Sequence, residues 1–425
     1  MSDEPACCVK TSNHSVTHAW TAKETGWLFS HIGTGIGAGL LYLPIAAGSG
    51  GAFSLLLMVL VSGPIVLLSH RGLTRFCLAS QCDDGDLGHI VRSSFGEKIG
   101  RWLVLLCFLS MFPVLLLYSI GITNVTESYF QNQLGIVIES RSLLAFGLIT
   151  MMVVLFCSRE SLALSILSSL VFPLIIVLLC LALYLIPQWR LDFISQPFSL
   201  ADSLKSFFLI LPVLVFSFYH APISPTFSRS YLRSIKDIHR CIAITDKVHF
   251  RSSALLLLIT LFFVFSCLMA LTPDQIHQAR TDNLPVLSVL ANQPDNRFLS
   301  ATAPIIAFVS ILTSFFGFFI GTVEMMNGFL VGVQGKSQQE AGHYHRVSIL
   351  LIIVSCWIAA TCNWSVLSVI ELIVAPMMAI ILFFIPVIGL RKKTAMRMYW
   401  NRWSDLFVLI TGSVVIAGFA VSLIL

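Results

Sequence analysis

Long apolar runs, separated by short polar segments that are often basic, make up almost the whole chain. A helix needs about 20 apolar residues to cross a hydrocarbon core ~30 Å thick. Runs close to this length recur along the sequence and predict eleven transmembrane helices. They cover residues 26–47, 51–71, 101–128, 142–158, 161–186, 204–235, 250–272, 301–331, 346–362, 364–389 and 403–425.

The composition excludes an ordinary soluble domain. Of the 425 residues, 56% are apolar and 11% are charged, whereas soluble domains carry about 25% charged residues. The mean hydropathy is +0.88. The first 20 residues are polar and lack the apolar core of a signal peptide. We therefore expect residues 1–22 to be a disordered cytoplasmic tail and residues 23–425 to form one transmembrane domain.

The basic residues predict the orientation of these helices. With the N-terminus in the cytoplasm, 21 of the 26 lysines and arginines fall on the inner side and 5 on the outer side. Cytoplasmic loops of membrane proteins are enriched in lysine and arginine. Eleven spans then place the C-terminus outside. Topology thus accounts for the net charge of +5, which gives no reason to expect a nucleic acid partner.

The first apolar run contains the unusual stretch HIGTGIGAGLLYLP, with glycines at residues 33, 35, 37 and 39. Each glycine destabilises a helix interior by roughly 1 kcal/mol relative to alanine. Two interpretations are open. The glycines interrupt the helix and free its backbone for a ligand, or they let a neighbouring helix pack closely.

A second interruption favours the ligand-binding interpretation. Residues 211–228 read LPVLVFSFYHAPISPTFS, and their three prolines are incompatible with one unbroken helix. The starts of spans one and six are five spans apart, so a second copy of a five-helix unit would insert upside down. We therefore predict an all-α membrane fold with an inverted repeat. Residues 23–186 and 204–390 would form the two copies and residues 403–425 an extra helix.

Several stretches resemble the hydroxy/aromatic amino acid permease family of the amino acid–polyamine–organocation group. The resemblance rests on GTGIGAGLLYLPIAAGSGG, VFSFYHAPISPTF, SFFGFFIGTVEMMNG and VLSVIELIVAPMMAIILFFIPV, in this order along nearly the whole chain. The chain is most similar to the threonine/serine:proton symporters. The resemblance implies a multi-pass inner (plasma) membrane protein that imports a small neutral amino acid, serine or threonine, by proton symport.

Several positions depart from the family pattern, including a lysine near the start of span five that is absent from SRESLALSIL. An asparagine of the span-six motif is replaced by Tyr219, and Ala221 stands before Pro222. A lysine of span eight is replaced by Thr313 and a histidine by Phe318. The charged group of a lysine in span eight would take the place of a cation. Thr313 carries no charge and leaves room for an ion, so sodium coupling stays open as an alternative.

The two interruptions supply the candidate substrate site. Backbone N–H groups freed in span one can bind a carboxylate, and carbonyls freed in span six can accept from an ammonium group. The Ser217 hydroxyl is expected either to bind a substrate hydroxyl or to bond back to its own helix. The candidate substrate-binding residues are Thr34, Gly35, Ile36, Gly37, Ala38, Ser217, Phe218, Tyr219, His220, Ala221 and Ser314.

Ionisable side chains inside the spans are candidates for coupling. A carboxylate within a membrane is costly and is by default a functional hypothesis. Glu324 in span eight is the leading proton carrier and Glu371 in span ten the second. His220 either titrates near neutral pH or is a neutral, hydrogen-bonded side chain. With sodium instead, Thr313 and neighbouring hydroxyls would bind the ion.

Other classes of function have weaker support. His31, His70 and His220 are far apart in sequence and lie in no enzyme signature, so we expect no enzyme and no cofactor. Cys77 and Cys82, followed by three aspartates, do not form a convincing zinc pattern, and we predict no metal site. A non-transporting amino acid sensor is the remaining alternative. We expect the partners to be an amino acid, a coupling ion and the lipid bilayer.

Overall fold

The computed structural model describes residues 19–81, 87–158, 160–195, 199–293, 296–334 and 341–422, and these residues form helices and no strand. The helices are α1 (Ala22–Gly35), α2 (Ala38–Ala47), α3 (Gly51–Ser80), α4 (Leu87–Phe95), α5 (Glu97–Asn132), α6 (Arg141–Ser158), α7 (Glu160–Tyr184), α8 (Leu200–Ser217), α9 (Ser224–Leu232), α10 (Ile238–Ala270), α11 (Pro273–Thr281), α12 (Val286–Ala291), α13 (Arg297–Gln334), α14 (Ala341–Thr361), α15 (Val366–Arg391) and α16 (Arg402–Ser422).

A helix or a broken helix lies at every predicted span. In the described chain, eight helical segments are long and apolar enough to cross a bilayer, and the bent pair α1–α2 counts as a ninth. Two shorter apolar stretches, Arg141–Cys157 and His345–Thr361, lie in α6 and α14. The chain is therefore an all-helical, multi-pass protein. The count of eleven, the inverted repeat and its boundaries stay predictions.

The first predicted break lies between α1 and α2, which are bent by 54°. α1 ends at Gly35, and Ile36 is extended, with φ −88° and ψ 106°. α2 then starts after Gly37, which is also extended. The helix is thus interrupted within the glycine-rich stretch, as the sequence predicts.

The second predicted break separates α8 from α9. α8 ends at Ser217, and residues 218–220 leave the helical path. A single 3₁₀ turn, Ala221–Ile223, then leads into α9. Pro222 and Pro225 stand at the starts of that turn and of α9, where a missing N–H costs no helical hydrogen bond. This break is also confirmed.

The two breaks meet in the core of the bundle. α2 packs on α8, α1 packs on α10, and α3 contacts α8, α9 and α10. α13 packs along α5 and also contacts α2. Consequently the interrupted segments are surrounded by protein, which is the condition under which non-helical backbone is stable at membrane depth.

Candidate functional site

The Ile36 carbonyl, freed by the end of α1, accepts a hydrogen bond from the Ser314 hydroxyl of α13 at 3.0 Å. Ile36, Gly37, Ala38 and Ser314 are all buried. Ser314 therefore links α13 to the break in span one, at the place where its role in substrate binding is predicted.

Glycine is required at two positions of this junction because other atoms occupy the space of a side chain. A Cβ on Gly37 would lie 2.5 Å from the Ser314 Oγ and 3.2 Å from the Tyr118 hydroxyl. A Cβ on Gly39 would lie 2.6 Å from the Ser217 Cα. The helix is therefore interrupted, and its neighbours approach closely, whereas ligand binding by the freed backbone stays a prediction.

Three hydroxyls near the breaks bond back to their own helices. Ser217 donates to the Val213 carbonyl at 2.7 Å, and Thr34 donates to the Ser30 carbonyl at 2.8 Å. Thr313 donates to the Ser310 carbonyl at 3.1 Å. The Ser217 hydroxyl was expected either to bind a substrate hydroxyl or to bond to its own helix, and in the structure it bonds to its own helix.

Aromatic side chains form a wall beside the junction. The Phe318 ring lies between those of Tyr118 and Tyr219, with centroids at 5.7 Å and 6.5 Å. Phe218, Tyr219, His220 and Ala221 are buried next to this wall. Tyr219 and Phe318, two of the positions that depart from the family pattern, thus lie together.

The two carboxylates expected inside the spans lie in different surroundings. Glu324 is exposed on the surface of α13 and is not enclosed by the bundle, and its role as proton carrier stays a prediction. Glu371 lies in a π-helical turn, Ile370–Val374, and its carboxylate is 3.8 Å from the Arg280 guanidinium of α11. Glu371 is thus partly buried and lies near an arginine, and its role in coupling stays a prediction.

Four histidines that are distant in sequence form one buried cluster, which we call the histidine cluster: His31, His70, His220 and His249. The rings of His70 and His220 stack at 3.6 Å with an interplanar angle of 10°. His31 lies 5.3 Å from His220 and 4.7 Å from His249 between ring centroids. The distance between these histidines along the sequence gave no indication that they converge.

Sequence reasoning also overlooked His249 altogether. The available signal was that each histidine of the cluster lies in or beside an apolar run, where ionisable groups are rare. At most 1% of each of the four side chains is exposed. One ring nitrogen from each of His31, His220 and His249 lies within 4.8 Å of the other two, a spacing that could hold a metal ion.

A polar network joins the helices on the predicted outer side. Asn283, with φ 57°, accepts at its carbonyl from Asn124 at 2.7 Å and from the Tyr42 hydroxyl at 3.3 Å. Its side-chain oxygen accepts from the Val366 N–H at 2.9 Å. Arg141 also donates to Asn124, at 2.6 Å. The network ties the outer end of span one to spans three, four and ten.

A second group of contacts holds α1 on the predicted inner side. Thr21 and Glu24 form a capping box at the start of α1. The Tyr231 hydroxyl of α9 donates to the Glu24 carboxylate at 2.8 Å, and Lys23 donates to the Ser230 carbonyl at 2.7 Å. The inner half of span one is therefore fastened to the inner half of span six.

The weak zinc candidate is not tested by the structure. Cys77 is buried, whereas Cys82 and the acidic residues after it lie outside the described residues, as does most of the tail at residues 1–22.

Comparison with known proteins places these features in a family. The sequence profile of the tryptophan/tyrosine permease family matches residues 28–339. The serine transporter SdaC of Escherichia coli K12 is 37% identical over 415 residues, which cover 95% of this chain and 96% of that protein. The threonine/serine transporter TdcC of Yersinia enterocolitica is 33% identical, over 93% of this chain and 95% of that protein.

Solved structures share the fold at low sequence identity. The manganese transporter of Eremococcus coleocola superposes with a TM-score of 0.62 at 15% identity, over 96% of this chain and 88% of that chain. MhsT, in complex with L-phenylalanine, superposes with a TM-score of 0.61 at 15% identity, over 95% of this chain and 99% of that chain.

These matches cover nearly the whole chain and agree with its helical architecture. The relatives are amino acid transporters, which confirms both the predicted resemblance and the prediction that the chain is not an enzyme. The chain belongs to the tryptophan/tyrosine permease family, as a relative of the serine and threonine/serine transporters.

Proposed function

We propose that this protein imports serine or threonine together with a proton, and that the amino acid binds where the two broken helices meet. The observation that carries the proposal is the direct contact between the breaks, at Gly39 and Ser217. In transporters, paired breaks of this kind offer helix ends to a substrate. The kinship with serine and threonine/serine transporters supports the same substrates.

The helix ends match the two charges of a free amino acid. The N-terminus of α2, after Gly37, carries a partial positive charge and unpaired N–H groups for the carboxylate. The C-termini of α1 and α8 carry partial negative charge for the ammonium group. The proposed binding residues are Thr34, Gly35, Ile36, Gly37, Ala38, Ser217, Phe218, Tyr219, His220, Ala221 and Ser314.

Tight packing around the junction favours a small side chain. Ser217 contacts the backbone of α2, and Tyr118, Tyr219 and Phe318 close one side. A tryptophan side chain would have to displace this wall. The site therefore suits serine and threonine better than an aromatic amino acid.

Proton coupling is proposed on the resemblance to the threonine/serine:proton symporters, because the contacts around the span-one break are compatible with either ion. The Ser314 and Thr313 hydroxyls donate to the Ile36 and Ser310 carbonyls, and their oxygen lone pairs could still bind a cation. Two alternatives stay open: coupling to sodium, and coupling to a proton that is carried by Glu324 or Glu371. Uptake under separate gradients distinguishes sodium from a proton.

The test is uptake into proteoliposomes that contain the purified protein. Serine, threonine and tryptophan are offered under an imposed pH gradient or an imposed sodium gradient, each at a fixed value of the other. We expect serine or threonine to accumulate with the pH gradient alone, by at most about tenfold per pH unit at one proton per amino acid. Accumulation that follows sodium, or a preference for tryptophan, would contradict the proposal. Binding without any flux would favour a sensor.

A further inference from the structure

Each of three histidines in the histidine cluster uses one ring nitrogen and leaves the other unbonded. The Nδ1 of His31 bonds to the Trp27 carbonyl at 2.7 Å, and the Nδ1 of His220 bonds to the Phe218 carbonyl at 2.9 Å. The Nε2 of His249 bonds to the Thr74 hydroxyl at 2.7 Å. Within the described part of the chain, the remaining nitrogens, Nε2 of His31, Nε2 of His220 and Nδ1 of His249, have no hydrogen-bond partner.

The bonded partners define which nitrogens carry hydrogen. A carbonyl only accepts, so the Nδ1 atoms of His31 and His220 are the protonated ones in the neutral rings. Their Nε2 atoms therefore present lone pairs. Ring nitrogens of His31, His220 and His249 lie within 4.8 Å of one another, so electron-pair donors converge in a site that is closed to solvent. A bound cation would stabilise this arrangement of converging lone pairs.

His70 has a different role in the cluster. Its Nε2 accepts from the His220 backbone N–H at 3.2 Å, and its Nδ1 bonds to the Val66 carbonyl at 3.0 Å. Both ring nitrogens are thus used, and the ring stacks on His220. His70 is a positioning residue that holds the backbone of the span-six break.

The charges around the cluster suit one positive charge better than two. α1 ends shortly after His31 and α8 ends shortly before His220, so the negative ends of two helices face this region. Among the described residues, no carboxylate is hydrogen-bonded to the four imidazoles. A doubly charged metal ion would be buried without a counter-charge. The nearby ionisable groups are Arg71 and Arg75 of α3, whose positive charges oppose a further one, and Asp246 of α10, which pairs with Arg75.

We propose that His31, His220 and His249 bind the transported proton and share it as an N–H···N hydrogen bond between two of the imidazoles. This inference rests on the proposed function and deepens it. His220 lies in the break itself, and its ring is bonded to the Phe218 carbonyl. A proton on the cluster therefore acts directly on the backbone that is proposed to bind the substrate ammonium group.

The test replaces the cluster without touching the breaks. Proteoliposomes carry the wild type, the double variant His31→Gln/His249→Gln, or His277→Gln as the control, since His277 is exposed on α11. Three quantities are measured: serine accumulation under a pH gradient, acidification of the lumen on serine addition with an entrapped pH dye, and serine exchange without a gradient. Glutamine keeps the polarity and size of the site but cannot bind a proton.

We expect the double variant to lose accumulation, so that inside and outside serine concentrations become equal, and to lose serine-dependent acidification. Exchange stays above that of protein-free liposomes, and the control behaves as the wild type. If the double variant does not elute as a single peak on size exclusion, His249→Gln alone is measured, with the same expected loss of acidification.

The outcomes separate this proposal from the proposed function. Proton-driven accumulation by the wild type and equally by the double variant would overturn the histidine site and leave proton symport intact. Loss of coupling in Glu324→Gln with full coupling in the double variant would assign the proton to Glu324. Unchanged coupling together with histidine-dependent Zn²⁺ binding would make the cluster a metal site. A wild type that ignores the pH gradient overturns both proposals.

Discussion

Gly37 and Gly39 shape the junction of the broken helices because they have no side chain. Their Cα atoms lie where α2 meets Ser314 of α13 and Ser217 of α8, and a Cβ at either position would overlap these residues. Ser314 in turn uses the carbonyl that the break leaves free. The absence of side chains at Gly37 and Gly39, together with the Ser314 hydroxyl, thus lets α2, α8 and α13 approach one another.

Gly37→Val is expected to abolish serine uptake while the protein still inserts and folds. The added side chain would displace Ser314 and Tyr118, and overpacking of this kind costs about 1–3 kcal/mol. Uptake and size-exclusion profiles of the purified variant measure the two effects.

The control is Gly147→Val on α6, because a Cβ at Gly147 meets nothing within 4 Å. Undiminished transport in Gly37→Val would mean that the substrate does not bind at this break.

α1 is a short helix that is held at both ends by different contacts. Its first turn is capped by Thr21 and bonded through Glu24 to Tyr231 of α9. Near its other end, His31 packs against His220 and His249. A helix of 14 residues is marginal by itself, so these tertiary contacts keep it in place.

Tyr231→Phe is expected to loosen α1 from the bundle. The change removes a hydrogen bond to a carboxylate, a contact worth about 1.5–3 kcal/mol, which corresponds to at least roughly tenfold faster opening. Hydrogen–deuterium exchange of peptides from α1 reports this opening.

Tyr184→Phe serves as the matched control, since its hydroxyl bonds to Asn296 at the protein surface. Equal exchange of α1 in the wild type and Tyr231→Phe would show that the Glu24 contact does not hold the helix.

Charge and apolar length together predict how the whole molecule lies in the membrane. Five basic residues occur between Arg391 and Arg402, in the connection from α15 to α16. A connection this basic is expected in the cytoplasm. α16 would then cross the bilayer and leave the C-terminus outside.

Reporter fusions test this orientation. Green fluorescent protein fused after Lys393 should fluoresce, and alkaline phosphatase fused after Leu425 should be active, because each reporter works on one side of the membrane only. Phosphatase after Lys393 is the control and should be inactive. Fluorescence at both positions would mean that α16 does not cross.

Much of the architecture followed from local sequence. Apolar length predicted where the helices lie, and the clustered glycines and prolines predicted both breaks, because helix interruption depends on the residues at the break itself. The approach of the breaks was also expected from their spacing. The same local reasoning could not show that Glu324 lies on the surface of the bundle, and it left the direction of the Ser217 hydroxyl open.

Only the tertiary structure brought together His31, His70, His220 and His249, or placed Asn283 between the outer ends of several spans. Such contacts join residues of different helices that are distant in sequence, such as His220 and His70, which are 150 positions apart. Hydropathy and helix propensity describe each segment separately and say nothing about which face meets which neighbour. The sequence by itself determined the helices and their breaks, whereas packing of the bundle decided which polar atoms converge, because convergence depends on how separate helices are rotated and stacked against one another.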